Sequence, residues 1–524
     1  MGVQYCSMRR RTGVSVGILV GLFGLALILW LVQWRSDSLR DRIVRTLSAR
    51  FNADVTLEDL SVSLLPRVRV TGVNLKLQVR NRADLPPFIS IDHFWMDLGP
   101  FSIIRRHVNV VHVDGLKISV PPPDARRTLG GPEKDAATRE LEEAAADDML
   151  NPSKVIVERL VAHNAVLTFV STKPNRRPLT FDIESLELLE LGFDRALSFR
   201  AQLVNPVPTG LVQSHGSFGP WMKDDPAETP VSGEYRLTDA DLSTIAGISG
   251  KLTSSGSYRG RITEIDVTGT TTTPDFNLAL NGTPLPLTTT FAAMVDGTDG
   301  TVMLRQVDAT LGGSSISATG GIVNLPGPGR RSTDLDVAVT KGRIEDLLAL
   351  VTPGGQPVMT GDVALTAKVK LPPGDGTKLW RIALDGRFVL SETTFKNTVQ
   401  ARVKEFSRRA QGKDADEMSG RTLSNLKGNF GLKNGVMHLQ GLTFQVPGAN
   451  VLLDGSADLQ SRALELRGTL QMQASVSQAV GGFKSIFLKV VDPFFKKAGR
   501  GTVIPIKIGG TFDAPKPGLA IGKK

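Results

Sequence analysis

The stretch VRVTGVNLKLQV, Val68 to Val79, decides how the chain is read. Apolar side chains alternate up to Val70, the alternation slips one place at Gly72, and it resumes at Val73, Leu75, Leu77 and Val79. Alternation with a period of two marks a strand with one apolar face. A bulge at such a slip shifts which face the later side chains point to. The spacing therefore predicts a strand kinked at Gly72. VHVDGLKISV, Val111 to Val120, repeats the pattern, with Val111 and Val113 before Gly115 and Leu116, Ile118 and Val120 after it. Glycine at such a place permits the positive φ of a bulge, while a tight hairpin turn is the competing reading of Asp114-Gly115. In VIVERLVAHNAVLTFV, Asn164-Ala165 stands where Asp114-Gly115 stands in the earlier stretch.

The same alternation fills the rest of the 524 residues. It recurs at Phe276, Leu278 and Leu280; at Leu335, Val337 and Val339; at Val363, Leu365, Ala367, Val369 and Leu371; and at Ile504, Ile506 and Ile508. The positions between are mostly Asn, Asp, Lys, Thr and Ala, so the opposite face of each strand is expected to be wet. Aromatics are only 6% while Gly and Pro number 53 and 30, which suits many short strands and turns better than packed helices. Three stretches break the pattern with helical spacing: Leu39, Ile43, Leu47 and Phe51 at four-residue steps after Ser36 or Ser38; Val399, Val403, Phe406 and Ala410; and the Phe- and Lys-rich run from Ser477 to Lys497. A weak internal repeat pairs Gly233 to Gly260 with Leu335 to Lys368, each a strand, a short helix (Leu242, Ile245 and Ala246 against Ile344, Leu347 and Leu348) and a further strand. From Pro121 to Leu150 the alternation lapses into an acidic, alanine-rich linker with a short solvated helix.

Thr12 to Trp34 holds no charged residue and is long enough, at 1.5 Å per residue, to cross a hydrocarbon core of about 30 Å. An uncleaved anchor is expected, since a signal peptide would have a shorter apolar region and a small-residue cleavage site, whereas this run ends at Trp30 and Trp34. Arg9, Arg10 and Arg11 precede it and Arg35, Arg40, Arg42 and Arg45 follow, so charge does not set the orientation. The short N-terminal tail, and Cys6 as the single cysteine, place the body outside the cytoplasm, in an oxidising compartment where it carries no thiol. The formal net charge of +10 comes without aromatic-interleaved basic runs, which leaves an anionic membrane surface, not nucleic acid, as the partner.

The chain contains no G-x-S-x-G, P-loop, H-E-x-x-H or cysteine pair, so neither enzyme chemistry, a cofactor nor a metal is expected. His107 and His112 lie five apart on a strand, which does not suit joint chelation, and Asp414, Asp416 and Glu417 lack the spacing of an EF-hand loop. What remains is a physical problem. A long sheet with one apolar face must cover that face by curling, by a second sheet or by lipid. Bulges raise local curvature, so the kinked strands point to a gutter with an apolar inside.

At this point the sequence resembles the AsmA-like family of bacterial envelope proteins, related to TamB and to bridge-like lipid transfer proteins. The residues that carry the resemblance are the anchor and following helix, VTLEDLSVSLLPRVRVTGVNL and IDHFWMDLGPFSIIRRHVNVVHVDGLKISV near the front, LKGNFGLKNGVMHLQGLTFQVPGANVLLDGSADLQSRALELRGTL near the back, and the closing GTVIPIKIGGTFDAPKPGLAIG with its Gly-Thr-x-x-x-Pro at Gly510 to Pro515. The fold so implied is mainly β: an N-terminal transmembrane helix, then a long curved antiparallel sheet forming an open apolar groove, with a few short helices. The expected divisions are a cytoplasmic tail (1–11), the anchor (12–34), an N-terminal AsmA-like region (35–120), a linker (121–152), a central groove region (153–398) and a C-terminal AsmA-like region (399–524). The resemblance implies a single-pass bacterial inner-membrane protein with its bulk in the periplasm, carrying phospholipid toward the outer membrane or an envelope protein and supporting envelope integrity. The alternative is a non-transporting structural or assembly factor for outer-membrane protein biogenesis. Groove candidates are Val73, Leu75, Leu77, Val79, Leu116, Ile118, Val120, Leu335, Val337 and Val339. Candidates for a membrane or partner contact are Phe483, Phe487, Phe494, Lys496, Lys497 and Arg500, although the helix they define could equally cap the open end of the sheet.

Overall fold

The computed structural model describes residues 39–48, 51, 53–63, 67–98, 107–120, 156–170, 179–191, 195–220, 222, 226–245, 247–278, 282–325, 331–350, 357, 359–374, 378–395, 397–411, 424–473, 503–511 and 515–520. The expected anchor, the linker and the Phe- and Lys-rich run with Phe483, Phe487, Phe494, Lys496, Lys497 and Arg500 lie outside them. Among the described residues no helix is long and apolar enough to cross a membrane.

The described residues form 25 strands, from β1 (Ala53–Ser63) to β25 (Pro515–Leu519), hydrogen-bonded into one long sheet. Strands pair in chain order, with two departures. The two-residue β11 (Ile248–Ser249) pairs with β13 (Glu264–Leu278), which leaves β10 (Pro230–Asp241) and β12 (Lys251–Arg261) as neighbours. The second departure corrects the expectation of an all-antiparallel sheet. β4 (His107–Asp114) and β5 (Lys117–Val120) pair parallel with β6 (Ile156–Phe169), so the sheet is mixed. Parallel neighbours cannot be joined by a tight turn, and in the sequence 35 residues separate Val120 from Ile156.

The kink in Val68 to Val79 is real but sits elsewhere than expected. In β2 (Val68–Val79) the residue in the left-handed region is Asn74, φ +52°, not Gly72. Asn74 and Glu58 of β1 are both skipped in the register, so Leu57 pairs with Leu75 and Asp59 with Val73. Val70 and Gly72 before the bulge and Leu75, Leu77 and Val79 after it therefore share the buried face, and Val73 turns to the other. Gly72 is needed for a different reason. A Cβ there would lie 2.2 Å from the ring of Phe94, which reaches over from β3 (Ile89–Leu98).

This bulge is one of a row. Asn74 is followed on the next strands by Asp92, Gly115 (φ +67°), Asn164 (φ +53°) and Glu184, each skipped in its pairing register. The row crosses β1 to β7 (Leu179–Leu191). Asn164 aligns with Gly115, one place from the match expected from sequence, and Asp114-Gly115 is a bulge rather than a hairpin turn. Where a skipped position is Glu or Asp, its side chain takes a donor on the polar face: Asn74 Nδ2 donates to Glu58, Lys117 Nζ to Asp92 at 3.2 Å and Gln202 Nε2 to Glu184 at 2.6 Å.

The sheet has two unlike edges. The registers place the start of β1, the end of β10, the end of β17 (Arg331–Arg343), the end of β19 (Ala383–Phe395) and the end of β23 (Leu464–Met472) at the same edge. Helix α1 (39–48) enters there, and α2 (Ile344–Ala349) and α4 (Asn397–Gln411) follow strands that end there. The short α3 (Lys378–Arg381) lies at the opposite edge, between β18 (Met359–Leu371) and β19. The internal repeat is borne out in outline: β10 and β17 each lead into a helical turn at this edge, although after β10 it is only a 3-10 turn, Leu242–Thr244. Asp241 caps that turn, accepting from the Ser243 amide at 2.9 Å and from Lys251 Nζ at 2.9 Å. These bonds, Ser243 first, pull its carboxyl down to about 2.

Packing follows the helices. The largest apolar cluster joins β1 to β8 (Leu197–Pro206) to Leu39, Ile43, Val44 and Leu47 of α1 and to Phe51. A second cluster packs Val339, Val363 and Leu390 against Ile344 and Leu347 of α2. A third packs Val446 and Ala449 against Val403, Phe406 and Ala410 of α4.

Candidate functional site

Along β9 (Thr209–Phe218) to β19 exposed side chains alternate with half-buried or buried ones, with breaks where the register shifts. The exposed face carries Thr, Ser and ion pairs such as Arg305 with Asp266 (2.9 Å) and Lys368 with Asp336 (3.4 Å). Fully exposed pairs of this kind contribute little to stability, and here they keep that face wet. The other face carries Ile265, Val267, Phe291, Val307, Leu335, Val337, Leu365 and Val369, none of them fully buried. Among the described residues each apolar cluster is made of neighbouring strands with, at most, one helix, and no second layer of strands lies on this face.

The groove candidates divide along this boundary. Leu75, Leu77, Val79 and Leu116 are at most 9% exposed and belong to the packed core under α1. Ile118 is partly buried against the same core, and Val120 is half-buried. Val73 lies on the opposite face because the bulge falls at Asn74. Val339 is buried under α2, while Leu335 and Val337 stay half-buried on the uncovered apolar face. The first strands are thus filled by the chain's own side chains, and the open apolar surface begins beyond β8. Periodicity could not separate the two, because a strand facing a helix and a strand facing empty space alternate alike.

Shallow, open depressions also lie on the polar face, one lined by Thr268, Thr270, Thr290 and Asp308 and one by Asp336, Lys368, Asp385 and Arg387. Their linings are mostly exposed side chains of a twisted sheet, with Tyr235 and Phe291 at the edge of the first and Val337 and Phe430 at the edge of the second. They hold no buried polar group and offer no convergent chemistry. No group of three or more His, Cys, Asp or Glu among the described residues could hold a metal ion. His112 stacks on Trp95, ring centroids 5.1 Å apart.

One polar feature on the otherwise apolar face escaped the sequence reading. Tyr235 of β10 and Tyr258 of β12 both point to that face, half-buried, each paired in register with a glycine of the other strand: Gly233 with Tyr258 and Tyr235 with Gly256. A Cβ at Gly233 would meet the Tyr258 hydroxyl oxygen at 2.7 Å, and one at Gly269 would meet that of Tyr235 at 2.7 Å. The rings therefore lie flat along the sheet. Burial raises both phenols above their usual 10, so both stay protonated. The legible signal was the twin Gly-x-Tyr, Gly233 to Tyr235 and Gly256 to Tyr258, within 26 residues that hold two of the chain's three tyrosines. No family model matches the chain, and no curated protein matches it.

Proposed function

We propose that this chain is a lipid carrier of the bacterial envelope, held in the inner membrane by Thr12 to Trp34, which moves phospholipid along the apolar face of its sheet toward the outer membrane. The observation that carries this reading is the central sheet itself: from β13 to β19 the half-buried face carries mainly Val, Leu, Ile, Phe and Ala, with no covering layer of strands among the described residues. Acyl chains laid on such a face gain about 0.8 kcal/mol per buried CH2. Water alone makes the same surface an aggregation hazard.

The row of bulges from Glu58 to Glu184 supports the curl that turns a flat sheet into a groove. The core under α1 makes the first strands a solid collar next to the anchor, so the conduit starts beyond β8 and includes Val267, Leu335 and Val337. The sequence resemblance to the AsmA-like family points the same way. The packed collar also favours a part of the alternative, a structural role, but for the first eight strands alone.

The test is mass spectrometry of lipids that co-purify with a soluble fragment beginning at Ser36. Phospholipid in near-stoichiometric amount is the expected result. A fragment that is folded, monomeric and free of lipid would leave the scaffold role in its place.

A further inference from the structure

The tyrosine pair interrupts the apolar face at a defined place, and its hydrogen bonds fix what it can offer. Ser214 Oγ donates to the Glu234 carbonyl at 2.9 Å and lies 2.7 Å from the Tyr258 hydroxyl. Ser254 Oγ donates to the Thr270 carbonyl at 3.0 Å and lies 3.1 Å from the Tyr235 hydroxyl. A serine hydroxyl has one proton. With each serine proton committed to the backbone, each tyrosine must donate to its serine. The outward lone pairs of both phenol oxygens are then left as acceptors, with no proton to give. Thr271 and Thr289, hydrogen-bonded to each other on the same face, extend the line of hydroxyls to β14 (Leu285–Val295). On β9, β10, β12, β13 and β14 the positions that alternate with the exposed ones on this side include no Asp, Glu, Lys or Arg among the described residues.

The two phenol acceptors, without charge and flanked by apolar side chains, suit neither a phosphate oxygen nor an ester carbonyl, which also only accept. They suit a group that donates. We propose that the pair seats the polar end of a bound lipid and favours headgroups with hydrogen-bond donors, a primary ammonium or a hydroxyl, over a fully N-methylated ammonium. This rests on the lipid-carrying reading above. The flat rings attract any cation over their faces, so a methylated ammonium still binds there. What it lacks is the hydrogen bond, worth about 2- to 10-fold in affinity.

Packing alone is the rival account, since a ring laid over a cross-strand glycine stabilises a sheet without any ligand. The full-length protein, mixed with vesicles holding photoactivatable phosphatidylethanolamine or phosphatidylcholine with identical acyl chains, separates the two. Illumination and peptide mapping should find the ethanolamine lipid on residues 209–295 about 2- to 10-fold more often than the choline lipid. A phosphatidylglycerol probe, whose donors are hydroxyls, should match ethanolamine. The double variant Tyr235→Phe/Tyr258→Phe keeps both rings over their glycines and should bring the ethanolamine lipid to the choline level while leaving the choline lipid unchanged. Equal labelling by the two lipids in the unaltered protein overturns the proposal on its own, as does a preference that survives the double variant. Absence of labelling by every lipid, at every position, overturns the carrier reading and this inference with it.

Discussion

Asn74 holds the bulge of β2 because its short polar side chain tolerates the left-handed region and donates to Glu58 across the strand pair. A β-branched residue cannot adopt φ +52° at so little cost. Asn74→Val is therefore expected to destabilise the protein by about 1–3 kcal/mol in urea unfolding, and Asn74→Gly by less, because glycine keeps the backbone and loses only an exposed hydrogen bond. Equal loss in both would assign the effect to the side-chain contact instead. The sequence announced that a kink existed and missed its carrier by two residues. The slip in alternation was visible, but Gly72 drew the assignment through its backbone freedom, when its role is to leave room for Phe94 from another strand. A contact between strands leaves no mark in the local pattern.

At the scale of elements, the decisive division is between strands that meet a helix and strands that do not. Leu77 is 2% exposed beneath α1, whereas Val337 is half-buried on an uncovered face. Leu77→Ala should cost about 2–5 kcal/mol, the range for opening a cavity in a packed core. Val337→Ala should cost about 1 kcal/mol or less in lipid-free protein, because few atoms pack on that side to be lost. Comparable losses would mean that the central face is covered. Most elements were legible. The helix from Leu39 and the helix around Val403 to Ala410 lie where their four-residue steps put them. The parallel pairing of β4 and β5 with β6 was not legible, since alternation is blind to strand direction and only the long intervening segment hinted at a crossover.

The described strands form one sheet, with β1 at one end of the pairing order and β25 at the other. Pro515 and Pro517 in β25 withhold backbone donors, which blunts that edge against pairing with other chains. Twenty-five strands spaced by about 4.7 Å reach on the order of 100 Å when laid flat. From β10 to β19 the face that alternates with the exposed one is mainly apolar, crossed by the hydroxyls of Tyr235, Tyr258, Thr271 and Thr289, and it spans part of that reach. That face was legible as a period. Its lack of a covering layer was not, because a sequence records which side chains are apolar and not what lies above them. The central claim, that lipid tails occupy this face, is tested most directly by placing a photocrosslinking amino acid at Val267 and Val337 on the apolar side and at Thr268 and Asp336 on the polar side of the same strands. Lipid adducts at Val267 and Val337 with none at Thr268 and Asp336 are the expected result in cells. Adducts at equal yield on both faces, or on neither, would contradict it.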